Sequence, residues 1–66
     1  MRNPELTTRE SEIALLIAQA HSNKEISRAL NIAPGTVKMH LANIYQKLGV
    51  DGRIQLALHI INRVSA

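Results

Sequence analysis

Residues 22–48, SNKEISRALNIAPGTVKMHLANIYQKL, decide the fold. Two short amphipathic segments lie here on either side of a tight turn at Asn31, and their apolar residues share one face. Ser22 and Glu25 form a capping box: the serine oxygen accepts an orphan N–H and the glutamate reaches back to the cap. A helix over about 23–30 follows, with Ile26, Ala29 and Leu30 expected to point inward. Asparagine tolerates the left-handed conformation that a sharp turn between helices requires. Pro34 suits a first helical position, where no N–H is needed, and Gly49 is the expected stop of a helix over 34–48. The spacing is that of a helix-turn-helix.

The longer of these helices has two distinct sides. At 100° per residue, Val37, Leu41, Ile44 and Leu48 fall within about 60° and form the expected buried stripe. Gly35, Met39, Ala42 and Gln46 lie opposite, bordered by Lys38 and Tyr45 on one edge and by Asn43 and Lys47 on the other. A helix with small and flexible residues at the centre of its outer face has the size and chemistry to enter the major groove of DNA. Lys38 suits a guanine edge or a phosphate, Met39 and Ala42 suit thymine methyls, and Gln46 an adenine or a phosphate. A surface helix that is merely weakly polar is the plain alternative. Asn23 and Lys24 open the shorter helix, where free N–H groups and the dipole favour an anion such as phosphate. His40 falls about 70° off the buried stripe and reads as a half-buried packing or phosphate-contacting residue.

Outward from this core, Thr7 and Glu10 form another capping box and begin a helix over about 8–20. Ile13, Leu16, Ile17 and Ala20 make its inward stripe, with Leu6 as a hydrophobic staple before the cap. Asp51 is the expected cap of a fourth helix over about 52–63. Its Ile54, Leu56, Ala57, Leu58, Ile60, Ile61 and Val64 cover more of the circumference than one core needs. The excess fits a two-fold interface through Ile54, Leu58 and Ile61, or packing against a neighbouring domain. The expected architecture is all-α, a compact four-helix bundle in one domain spanning residues 1–66.

Composition narrows the function. The chain has 66 residues and no cysteine, so neither a disulfide nor a thiolate-bound metal braces it. A helical core or a partner subunit must stabilise so small a domain. No apolar run approaches the roughly 18 residues of a membrane span, and MRNPELTTRE lacks a signal-peptide core. No membrane partner is expected, and the default location is cytoplasmic. The net charge of +3 is uneven: residues 1–21 sum to −1 and residues 22–66 to +4. Positive charge gathered on the helix-turn-helix is what phosphate binding requires. His21, His40 and His59 show no metal-binding spacing, and no catalytic constellation can be assembled, so no enzyme, metal or cofactor is expected. A single aromatic, Tyr45, argues against folds that stack RNA bases on several rings.

Several blocks agree in order and spacing over nearly the whole chain: L6-T7-T8-R9-E10-S11-E12-I13, S22-N23-K24-E25-I26-S27, T36-V37-K38-M39-H40-L41, and K47-L48-G49-V50 with Arg53. Together they resemble the LuxR-type (NarL/FixJ-type) DNA-binding domain of bacterial transcription regulators. The resemblance implies sequence-specific binding of double-stranded DNA and a homodimer through the fourth helix. It also implies Lys38, Met39 and Ala42 at the bases, with Thr36, Asn23 and Lys24 near phosphates. It further implies a C-terminal domain of a longer response regulator, with an upstream receiver or sensor domain and RNA polymerase as further partners. A stand-alone short regulator is the other possibility. Ala20 stands where the family usually has glycine, implying a tighter or more helical turn, and Ala33 replaces the usual serine cap. Ala42 stands where some relatives have lysine, and Gly52 where asparagine or aspartate is common. A helical protein-interaction module, or a sigma-factor-like helix-turn-helix, are the rival readings.

Overall fold

The computed structural model describes residues 6–65, with side chains described through Arg63. Four helices follow in order: α1 (Thr8–Ala18), α2 (Asn23–Leu30), α3 (Pro34–Leu48) and α4 (Arg53–Ser65). There is no strand among the described residues. α1 sits centrally and packs against α3 and α4, while α2 packs against α3.

Both capping boxes form. Thr7 Oγ1 accepts from the Glu10 N–H at 3.1 Å, and Glu10 Oε1 accepts from the Thr7 N–H at 2.9 Å. Ser22 and Glu25 reproduce the pattern at 3.1 and 2.8 Å. Each exchange satisfies donors that a helix start leaves unpaired.

α1 ends two residues earlier than the sequence pattern predicts, because Ala20 leaves the helix with φ 69°. The Ala20 N–H then bonds to the Ile17 carbonyl and the His21 N–H to the Leu16 carbonyl, at 2.9 and 3.1 Å. These two bonds make a Schellman stop. The turn expected to be tighter or more helical thus takes the left-handed geometry of a glycine, with an alanine in place. Asn31 (φ 57°) and Gly49 (φ 67°) end α2 and α3 in the same conformation. Each is followed by the same six-to-one bond: the Ile32 N–H to the Ser27 carbonyl and the Val50 N–H to the Tyr45 carbonyl.

The core consists of Ile13, Ala14, Ile17, Ile26, Val37, Leu41, Ile44 and Leu56. Leu6, Leu16, Leu30, Leu48, Ala57 and Ile60 pack around it, half-buried. Three inward expectations need correction. Ala29 is exposed and Ser27 is buried in its place. The buried arc of α2 runs from Ile26 through Leu30 towards Ser27, about 100° from Ala29. Ser27 is tolerated there because its hydroxyl donates to the Lys24 carbonyl at 2.8 Å. Ala20 is exposed outside the helix, and Ala14 takes the inward place. Leu6 packs on the core, since the position it would staple is the exposed polar Ser11.

Asp51 does not cap α4 as expected. The ladder starts at the Gly52 carbonyl, which accepts from the Leu56 N–H at 2.9 Å. Asp51 contributes its N–H, which donates to Gln55 Oε1 at 2.9 Å. Leu56 is the buried contact of α4, whereas Ile54, Leu58 and Ile61 lie on the opposite side at 76%, 54% and 45% exposure. The Val64 side chain lies outside the described residues.

Candidate nucleic-acid interface

α3 is held from behind by Val37, Leu41 and Ile44, all buried. The opposite side is open: Gly35, Lys38, Ala42, Asn43 and Gln46 are exposed, and Met39 is 56% exposed. Thr36 and His40 are half-buried at the edges, as is Tyr45, which packs on the core. At 1.5 Å per residue, α3 is a rod about 22 Å long. No side chain caps its start, where Ala33 has extended backbone (ψ 147°) and Pro34 opens the helix. The Thr36 and Val37 N–H groups both bond to the Ala33 carbonyl.

α2 lies against α3 and presents Lys24 and Arg28, both exposed. Asn23 is half-buried, and Arg53 engages it. Arg53 Nη1 donates to Asn23 Oδ1 at 2.9 Å, and Nη2 donates to the His21 carbonyl. The guanidinium therefore joins the start of α4 to the start of α2, and the Asn23 amide nitrogen is the end left to donate elsewhere. Glu25 beside it is occupied by the Ser22 N–H and lies 3.5 Å from His21 Nδ1. The Ser22 hydrogen bond holds the Glu25 carboxyl below its ordinary range.

Lys47 is set apart from Lys38, the other lysine of α3. Its Nζ lies 2.7 Å from Glu10 Oε1, with the lysine side chain 31% exposed and the glutamate side chain 5%. The Lys47 hydrogen bond holds the Glu10 carboxyl below its ordinary range, against burial, which raises it. By local spacing Glu10 is half of a capping box and Arg53 part of a motif. Their second partners lie 37 and 30 positions away, a separation that local periodicity does not report. Among the described residues, no cluster of three or more His, Cys, Asp or Glu side chains is placed to hold a metal ion. No helix there is long and apolar enough to cross a membrane.

Comparisons with known proteins place this two-helix unit in a family. The family described as "Bacterial regulatory proteins, luxR family" matches residues 4–60. The chain belongs to the LuxR family of bacterial regulatory proteins. It is similar to the protein YhjB of Escherichia coli (strain K12), at 51% identity over 80% of this chain and 26% of the relative. It is also similar to the response regulator protein VraR of Staphylococcus aureus, at 50% identity over 82% of this chain and 26% of that protein. This LuxR-family chain thus spans about a quarter of the length of the curated relatives it matches. Among solved structures it is similar to the transcription factor GerE, at 46% identity and TM-score 0.77, covering 86% of this chain and 85% of that one. The response regulator ChrA matches at 36% identity and TM-score 0.85, covering 96% of this chain and 31% of that one. Membership of the LuxR family makes the chain a helix-turn-helix, DNA-binding module of transcription regulation, a family of regulators and not of enzymes.

Proposed function

We propose that this LuxR-family domain reads double-stranded DNA sequence-specifically with α3 in the major groove. The observation that carries the reading is the outer face of α3, where Gly35, Lys38, Met39, Ala42, Asn43 and Gln46 are exposed while Val37, Leu41 and Ile44 anchor the helix from behind. A major groove about 12 Å wide admits one α-helix of this kind. Lys38 and Gln46 supply polar contacts to base edges, and Met39 and Ala42 supply apolar ones. Lys24, the Asn23 amide and the first turn of α3 at Thr36 face phosphates.

The working unit is a homodimer through Ile54, Leu58 and Ile61, bound to paired half-sites about one helical turn apart. The rival occupant of that stripe is an upstream receiver or sensor domain, a partner suggested by response-regulator relatives longer than this chain. Contact with RNA polymerase and a place in the bacterial cytoplasm accompany such a role.

The test is selection of binding sites from random duplexes, followed by titration of the selected duplex at several salt concentrations. If Lys24 and Arg28 each meet one phosphate, log affinity falls against log salt with a slope of about −1.8 per subunit. Selection of one half-site in two-fold repeats supports the dimer, and a single unrepeated site supports the receiver or sensor domain on α4. A flat salt response contradicts DNA binding.

A further inference from the structure

The Glu10–Lys47 pair joins the first turn of α1 to the last turn of α3. A single oxygen, Glu10 Oε1, accepts both the Thr7 N–H at 2.9 Å and the Lys47 ammonium at 2.7 Å. Glu10 is 4% exposed. An ion pair withdrawn from water adds little net cohesion, because desolvation offsets most of the attraction. Ile13, Ile17, Val37, Leu41 and Ile44 already hold α1 and α3 together. Apolar contacts are non-directional, however, whereas a short charge-assisted hydrogen bond adds geometric constraint. The constraint falls where α3 needs one, since its apolar stripe ends at Leu48, which is only half-buried.

We propose that Glu10 is a positioning residue for DNA readout, setting the orientation of the C-terminal half of α3 through Lys47, and that Lys47 itself is not a phosphate ligand. Glu10 thereby determines where Ala42, Asn43 and Gln46 meet the bases, although it touches no base. The proposal rests on the DNA reading above and extends it to specificity. It also reassigns Lys47, which the outer-face pattern places among the DNA contacts. The Lys47 charge is balanced by the Glu10 carboxylate 2.7 Å away, so little of it is left to displace counterions from DNA.

Glu10→Gln isolates the effect, because glutamine also closes a capping box while removing the charge. Wild type, Glu10→Gln, Lys47→Met and the double variant are titrated with the selected duplex and with a random one, at several salt concentrations. All titrations are run below the unfolding temperature measured for each variant. The expected result is a loss of about 3- to 30-fold on the selected duplex for either single variant, as for residues that act through packing. Binding to random duplex changes little, the salt slope is unchanged, and the double variant is no weaker than the worse single one.

The proposal is overturned if Lys47→Met weakens both duplexes alike and makes the slope shallower by about 0.9 while Glu10→Gln binds like wild type or tighter. Additive losses in the double variant overturn it too. Should Glu10→Gln show no folded state at any workable temperature, Lys47→Arg against Lys47→Met decides. Arginine retains sequence preference and methionine loses it at constant slope; a shallower slope for methionine contradicts the proposal. Failure of wild type to show salt-dependent binding brings down the DNA reading itself, which the variant comparison does not.

Discussion

Ala20 has φ 69°, and for a residue with a Cβ that conformation costs roughly 1–2 kcal/mol. The Schellman bonds at the end of α1 and the buried Ile17 beside it hold the strain in place. Ala20→Gly should therefore stabilise the domain by about 0.5–1 kcal/mol, read as a rise of a few degrees in thermal unfolding. A lower unfolding temperature would show that the turn is not strained. Glu10 makes a prediction about pH. Its carboxyl lies below the ordinary value of 4.5 in the folded chain, so the pair's contribution is fully present above that value. It is lost as pH falls through the lowered native value. Thermal unfolding followed from pH 7 to pH 3 should show wild type losing its advantage over Glu10→Gln below about pH 4.5. A gap between the two that stays constant into acid would contradict the assignment. Both residues show where sequence reading stops. The substitution of alanine for glycine at position 20 is visible in the chain, but whether the backbone bends to suit alanine or alanine submits to the turn is decided by packing on both sides. The capping role of Glu10 is a three-residue pattern, and its bond to Lys47 is a tertiary event.

At the scale of the element, α2 and α3 fall on the predicted boundaries because their ends carry strong local chemistry: Ser22, Asn31, Pro34 and Gly49. α4 was less legible. With Gly52 at its start and apolar residues around most of its circumference, neither the cap nor the buried face is unique in sequence. Only packing against α1 selects Leu56 over Leu58. The outer face of α3 was legible because a period of 3.6 leaves little choice once Val37, Leu41 and Ile44 are inside. On that face Lys38→Ala is expected to weaken binding to the selected duplex by about 1–3 kcal/mol if the lysine reads a guanine, with relaxed preference at one base pair. A uniform loss on all duplexes, with a salt slope shallower by about one unit, would assign it to phosphate instead. No change on any duplex would remove Lys38 from the interface.

Across the whole molecule, about 33 × 23 × 20 Å, the reading side and the apolar stripe of α4 belong to different elements. Arg53 links them by tying the start of α4 to the start of α2. A dimer through α4 would carry its two α3 helices as rigid attachments, separated by a distance the half-site spacing reports. Leu58→Asp, at a site 54% exposed in the single chain, should leave the fold intact and abolish two-site binding while single half-site affinity persists. Sedimentation and titration on one- and two-half-site duplexes check this, and undiminished binding to the paired site would exclude the α4 interface.

In the proposed complex the exposed side of α3 enters the major groove of the duplex. The chain has two methionines, and comparison with a Met39→Leu variant assigns the Met39 methyl resonance. On titration with the selected duplex, the Met39 methyl should shift and broaden with the stoichiometry of binding. A Met39 resonance that stays in place at saturating duplex would exclude α3 from the groove.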